Sequence, residues 1–495
     1  MTKRALIALI VIVVAGAAVR LHYVDQPMRV DESLTVISYV LQGGRAVLTN
    51  LDQPNNHIFH SLSIYIVWKA TGALSPVLIR LPVLLAGIAA IPMTYLAGRA
   101  FLRSEGALVA AALVAGSPML ILYSTNARGY ALVTLFMLVY LWAAARIRDG
   151  DDPWWVWALS IGTAALAVYT IVTAVYALGG IALWLLLSLV FESERPEWSQ
   201  VGRFIAAMAG AALIAGLLYL PVELFGSGLG ELIADARRYG TAGEGNFLPT
   251  VRLRLGEAWQ LWTAGGMLPV VTAMLAAAVV ATFWSKRVTG RAVPLAACVL
   301  GWVAALIVIQ QGFAFPRVWQ FLFPILAIVS AGTIWFLLER VTPQHAQWAL
   351  VGLSSALVVG LLAANLATNY VLADEETGVY PSAERLALQS AEHLSEGDLL
   401  LVYNDAVAQV RFYQAMHGIE GVQTVFYGPW RDLALQSDDV ACRRIVVAVD
   451  GQGDFESIYT WFTPATEDVF RAIGEPAFLD TVVRSDLYAL QAPCE

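Results

Sequence analysis

Long apolar stretches separated by short polar ones run through the first three quarters of the chain. Eleven of them, near residues 5–24, 77–98, 106–124, 129–147, 153–170, 173–191, 203–221, 266–284, 293–310, 321–338 and 348–368, suit a membrane crossing, since a helix needs about 20 apolar residues to span a hydrocarbon core of about 30 Å. The pattern predicts an all-α polytopic membrane bundle. A further apolar stretch, His57 to Thr71, is only 15 residues long, opens with two histidines, ends near a lysine, and would invert every later loop if it crossed. It reads as a juxtamembrane or re-entrant helix. Residues 25–76 then form one long loop and residues 222–265 another. From 371 the rhythm changes: short apolar runs such as Asp398 to Tyr403 and Arg444 to Val449 alternate with helical stretches such as Ser382 to His393. Residues 371–495 are therefore expected to be a soluble α/β domain following a transmembrane domain over 1–370.

Composition supports this division. Of 495 residues, 58% are hydrophobic and 14% charged, which excludes a soluble enzyme and a disordered chain, while the long unbroken runs exclude an outer-membrane barrel. Residues 369–495 hold 21 acidic and 7 basic residues, a net of −14, which leaves +6 on the rest. An acidic domain and the lack of any dense Lys/Arg stripe argue against nucleic acid. Lys3 and Arg4, Arg99 and Arg103, Arg146 and Arg148, Arg195 and Arg203, Lys286, Arg287 and Arg291, and Arg340 fall in alternate loops. By the positive-inside rule those loops and the N-terminus are cytoplasmic, and the C-terminal domain is extracytoplasmic. Cys298 lies in an apolar run, whereas Cys442 and Cys494 lie in the tail, where an oxidising compartment would allow a disulfide between them.

Polar chemistry collects at the ends of the apolar runs. Ionisable residues are nearly absent from their middles, and no internal repeat is evident, so the two usual marks of a coupled transporter are missing. Four clusters fall on the expected outer side: Arg29-Val30-Asp31-Glu32, Asn55-Asn56-His57 with His60, Tyr123 to Tyr130 (YSTNARGY), and Phe315 to Trp319 (FPRVW). Carboxylates and arginines converging at a water–lipid boundary suit an enzyme acting on a lipid with a phosphate head. The glycine-rich Gly226 to Gly230 segment lacks the lysine and strand context of a phosphate loop, so no nucleotide site is expected there.

The order of these motifs resembles the C-type (GT-C) membrane glycosyltransferases. An Asp-Glu pair follows the first run; an Asn-Asn-His helix start comes next, then an Arg-Leu-Pro run at 80–82 leading into a span ending Leu96-Ala97-Gly98-Arg99, the Tyr-Ser-x-x-Ala-Arg-Gly-Tyr loop, and a late Pro-Arg. The likeness covers about residues 1–370 and is strongest to the bacterial branch related to protein O-mannosyltransferases and the lipid A aminoarabinose transferase. It implies inverting transfer of one hexosyl or pentosyl unit from a polyprenyl-phosphate carrier to an extracytoplasmic acceptor, which could be a cell-envelope glycan, a lipid or a protein, at the cytoplasmic membrane. The lipid-linked sugar is then the donor substrate, with membrane lipids around the bundle.

The resemblance implies roles, and each has a plainer alternative. Asp31 matches the family's catalytic aspartate and suits a general base at the membrane rim; Glu32 is assigned to acceptor binding or to orienting the site. Both could instead be first-turn acids of a helix beginning near Ser33. Arg128 and Arg317 are placed on the donor phosphate, the alternative being snorkelling to the interface. His57, Asn56 and His60, with Tyr123 and Tyr130, are expected to bind substrate, against capping of an amphipathic helix for the histidines and an interfacial tyrosine belt. His57 and His60 with Asp31 or Glu32 could hold a metal, but the expectation is substrate binding and no metal, with a divalent cation left open as a helper. A loop carrying Ala236 to Tyr239 (ARRY), Arg252 and Arg254 could close over substrate or stand in solvent. The competing functions are a lipid or solute transporter and a non-catalytic membrane scaffold.

Overall fold

The structure, a computed structural model, describes residues 2–51, 55–192, 198–230, 247–374, 376, 378–428, 433–450, 455–482 and 485–494. Arg195 and the 236–239 stretch lie outside them. The chain divides into two compact units: Met1–Gln26, Gly44–Ile66 and Ile79–Ala373 form the first, and Pro27–Gly43, Val67–Leu78 and Asp374–Glu495 the second.

The first unit is an all-α polytopic membrane bundle. Each of the eleven apolar runs is helical. Among the described residues seven of these helices are long and apolar enough to cross a membrane, Ser104–Gly116 and Pro118–Ser124 reach that length and apolarity only as a pair bent by 61°, and Trp154–Thr170, Leu268–Phe283 and Leu295–Gln310 are shorter apolar helices. Apolar side chains such as Ile10, Val14, Leu217 and Val359 point outward, more than half exposed, as lipid-facing positions should. In the middle lies Ser104–Gly116, buried from Gly106 to Gly116. It packs against Lys3–Tyr23, Leu322–Val341 and Ala346–Thr368. Its run of Ala and Gly permits this close approach: a Cβ on Gly116 would stand 2.6 Å from Leu361 Cβ.

The bend follows this helix. Pro118 has no N–H to give the Val114 carbonyl, and Ser117, in extended backbone, starts a new helix, Pro118–Ser124. Three carbonyls of the ending helix are met from elsewhere. Arg20, fully buried in Lys3–Tyr23, donates to Ala115 O at 3.0 Å and Val114 O at 3.3 Å, and Asn365 Nδ2 donates to Gly116 O at 2.9 Å. A cation at a helix C-terminus is also favoured by the helix dipole. The short second helix delivers the chain into residues 123–130.

The second unit is α/β. Its five-stranded sheet has the order β2-β1-β3-β5-β4, with β1 Leu399–Tyr403, β2 Gln423–Tyr427, β3 Arg444–Asp450, β4 Ala477–Val482 and β5 Ser485–Gln491. β1 runs parallel to β2 and β3, and β5 antiparallel to β3 and β4. The unbroken Leu-Leu-Leu-Val of β1 is buried on both sides, as expected for an inner parallel strand. Leu399, Leu401, Ile445 and Val447 share a core with Phe470 of the Pro464–Ile473 helix. A disulfide joins Cys442, before β3, to Cys494, after β5.

Candidate active site

In the first unit the predicted residues are brought together by the 123–130 loop and the entry to the Ile58–Thr71 helix. Ser124 and Thr125 turn their hydroxyls back onto Leu120, Ile121 and Leu122 carbonyls, which tightens the end of the short helix. Gln26 Nε2 grips the loop at Thr125 O, 2.8 Å, and Thr125 Oγ1, 3.2 Å. Gln26 is itself placed by Arg80, whose Nη1 donates to Val24 O at 2.7 Å and Gln26 O at 2.5 Å. Arg128 is buried and donates to Asn55 O at 3.1 Å and to Asn55 Oδ1. The Gly129 amide donates to His57 Nδ1 at 2.9 Å.

That last bond settles the state of His57. A nitrogen that accepts from an amide carries no proton, so the ring is neutral with its hydrogen on Nε2. Burial holds the imidazole well below the usual histidine range, and Arg128, His60 and Arg317 push the same way. Burial, then Arg128, takes His60 down to about 3; neither of its ring nitrogens has a hydrogen-bond partner among the described residues. Gly129 must be glycine for this fit, because a Cβ there would stand 2.6 Å from Thr170 Cγ2 and 3.2 Å from His57 Nδ1.

Tyr130 links the arginines to the histidines. Its ring packs edge-on to His57 and to Tyr123, each at 5.3 Å, and its hydroxyl accepts from Arg317 Nε at 3.1 Å. Arg317 sits in the short 3-10 helix Pro316–Phe321, anchored by buried Trp319 against Tyr176 and Phe313. Its guanidinium stacks on Phe315 at 4.7 Å, and Arg254 lies over the same ring at 4.3 Å, paired with Glu257 at 2.8 Å. Two guanidiniums, a neutral imidazole N–H and phenols form a donor-rich group suited to an anion.

In the second unit Asp31 and Glu32 open the helix Val30–Thr35, with Asp31 half-buried and Glu32 fully buried. Glu32 Oε1 accepts from the Arg29 amide at 2.8 Å, the back-bond of a capping box. The helix is tied to the C-terminal domain: the Val30 amide donates to Gly378 O at 3.1 Å, the Met28 amide to Tyr413 Oη at 3.1 Å, and Arg29 Nη1 to Asp374 O at 2.7 Å. Adjacent acids thus differ in environment, one turned into the turn it caps and the other half open.

Asn55 and Asn56 take different partners. Asn56 Nδ2 is spent on Val47 O at 2.9 Å and Asn50 O at 2.8 Å, holding the Gly44–Thr49 helix, while Asn55 meets Arg128. Both neighbours are amides, so residue type carried no signal to separate them. Arg20 and Arg80 also went unread as supports, because end-of-span arginines look alike in a sequence. Among the described residues no three His, Cys, Asp or Glu side chains gather as a metal site.

No protein-family model matches the sequence, and no curated protein does. Solved structures do. ArnT from Cupriavidus metallidurans, bound to undecaprenyl phosphate, matches 97% of this chain and 97% of its own, with TM-score 0.62 and 13% identity; its apo state gives the same values. The archaeal oligosaccharyltransferase AglB from Archaeoglobus fulgidus, in complex with an inhibitory peptide and a dolichol-phosphate, matches 98% of this chain and 74% of its own, with TM-score 0.52 and 12% identity. The chain shares its fold with these two proteins, in line with the likeness its motif order carries.

Proposed function

We propose that the chain is a glycosyltransferase that moves one sugar from a polyprenyl-phosphate carrier to an acceptor on the outer face of the cytoplasmic membrane, with inversion at the anomeric carbon. The observation that carries this is the donor-rich group of buried Arg128, His57 and Tyr130 with half-buried Arg317, in a fold shared with a protein bound to undecaprenyl phosphate. Asp31 accepts the proton of an acceptor hydroxyl as its oxygen attacks the anomeric carbon. The carbon–oxygen bond to phosphate breaks on the opposite face, and the departing polyprenyl phosphate keeps the electron pair. Its charge is met by the two guanidiniums and by the His57 Nε2–H. Glu32 keeps the Asp31 helix in place through the Arg29 amide.

The test is transfer in nanodiscs from a panel of labelled polyprenyl-phosphate sugars to cell-envelope acceptors. Asp31→Asn keeps the size and removes the base, so the rate should fall by about 10²–10⁴ with polyprenyl-phosphate binding retained. Arg128→Gln and Arg317→Gln should weaken that binding. Movement of the lipid without product would mean a transporter, and an unaffected Asp31→Asn enzyme would remove Asp31 from the reaction. EDTA separates two ways of neutralising the phosphate: activity kept assigns it to the arginines, and activity lost and restored by Mg²⁺ or Mn²⁺ adds a cation.

A further inference from the structure

We propose that a groove in the second unit binds the acceptor, and that the acceptor is an extended saccharide chain bearing carboxylate or phosphate groups. This rests on the transferase reading for the chemistry at Asp31, but the groove is argued separately. It measures about 840 Å³ and is lined by Ile37, Leu41, Trp68, Arg411, Gln414 and Glu420 among others, a size within the usual 300–1,000 Å³ or so of small-molecule sites.

The lining selects the ligand. A lipid tail needs continuous apolar wall, and here a guanidinium, an amide and a carboxylate interrupt it. A peptide would add to an edge strand of the sheet, and of the two edges, β2 and β4, the one at this groove is β2. Arg411 blocks that: its Nε, at 3.1 Å, and its Nη2 both donate to Thr424 O on β2, removing an acceptor that strand addition would use. What remains favours a sugar. The half-buried Trp68 brings an indole to the groove, with the Lys69 ammonium 4.3 Å from its ring centroid. Gln414 is buried, and its Oε1 accepts from Thr424 Oγ1 at 2.8 Å, which leaves its amide N–H groups for a hydroxyl. Arg411 is exposed to the groove, keeps its Nη1 uncommitted and makes no ion pair among the described residues, so an anionic substituent would complete it.

Length follows from the chain. Val30–Thr35 continues as a π-helical turn, Val36–Val40, into Leu41, so Asp31 and the groove lie at two ends of one helical segment. At about 1.5 Å per residue Ile37 is roughly 9 Å and Leu41 roughly 15 Å along the axis from Asp31. One sugar ring cannot fill the groove and present a hydroxyl to Asp31, whereas an oligosaccharide can.

The experiment uses the full chain in nanodiscs, labelled donor, and acceptors from mono- to hexasaccharide in neutral, uronate-containing and phosphorylated series. For one or both anionic series kcat/KM should climb with length and then level, and which series climbs identifies the anion. Arg411→Gln should raise KM for the long anionic acceptor about tenfold, the loss of one charge-assisted hydrogen bond, with the Kd for polyprenyl phosphate at the wild-type value. Trp68→Ala should raise KM for every long acceptor. Transfer that ignores both length and Arg411→Gln would overturn the groove and leave the transferase reading standing. Absence of transfer, with the anionic hexasaccharide still bound and its Kd raised by Arg411→Gln, would keep the groove and remove the transferase.

Discussion

At the scale of single residues, one amide hydrogen bond decides the chemistry of the site. Gly129 N–H to His57 Nδ1 keeps the imidazole a neutral donor beside two guanidiniums, so His57 can meet a phosphate without adding a third cation to the group. His60, one helical turn on, is fully buried and about 3 in pKa, and this has a consequence for stability. Below pH 6.5 the unfolded chain protonates this histidine while the folded chain does not until pH nears 3, so the unfolded state binds more protons and stability falls as pH falls. The slope contributed is at most about 1.4 kcal/mol per pH unit. Thermal unfolding in nanodiscs between pH 7.5 and 5 should therefore show a smaller loss in His60→Phe than in wild type, and parallel curves would show that His60 is protonated in the fold. Sequence alone placed both histidines on one helical face and named His57 as the better ligand. It could not give their protonation, which is set by burial and by partners from the 123–130 loop, more than 60 residues away in the chain.

At the scale of elements, periodicity was informative where apolar length decides structure and silent where a local exception does. Every apolar run is a helix, and the stretch from His57 is a short helix, Ile58–Thr71. Residues 106–124, read as one run, are two helices at 61°. Pro118 marked the place, but a proline can also kink a helix without ending it; what makes a full break here is the supply of donors from Arg20 and Asn365, both remote in sequence. The break orients the loop that carries Arg128. Arg20→Met keeps the bulk and removes the donors, orphaning carbonyls at about 1–3 kcal/mol each. The expected results are a lower thermal midpoint and at least a tenfold weaker Kd for polyprenyl phosphate, with Arg20→Lys between, because one ammonium cannot copy the guanidinium fork. A destabilised Arg20→Met protein with wild-type Kd would show that the loop holds its position without the bend.

At the scale of the whole molecule, the charge split of +6 and −14 marks a domain change that the structure expresses as a bundle and a five-stranded α/β unit. The limit of that reading is that composition follows the chain, whereas the second unit also takes in Pro27–Gly43 and Val67–Leu78. Those segments, at net −1 and +1, carry no charge excess like that of the tail; they join through backbone bonds such as Val30 to Gly378, which leave no trace in composition. The placement of basic residues in alternate loops predicts that this unit faces an oxidising compartment, and its cysteines make the prediction measurable. Cys442 and Cys494 are bonded across 52 residues, while Cys298 is buried in the bundle. With spheroplasts whose membrane is intact, a maleimide–polymer reagent should add nothing until a membrane-impermeant phosphine is supplied, and then two labels, both lost in Cys442→Ser/Cys494→Ser. Labelling without reductant, and only after permeabilisation, would put the unit in the cytoplasm and invert the topology. Removing the crosslink should also cost this unit about 2–4 kcal/mol by the loop-closure argument. Thermal unfolding of the full chain with and without reductant should therefore shift the transition of the α/β unit and leave that of the bundle in place, since the bond constrains no residue of the membrane helices.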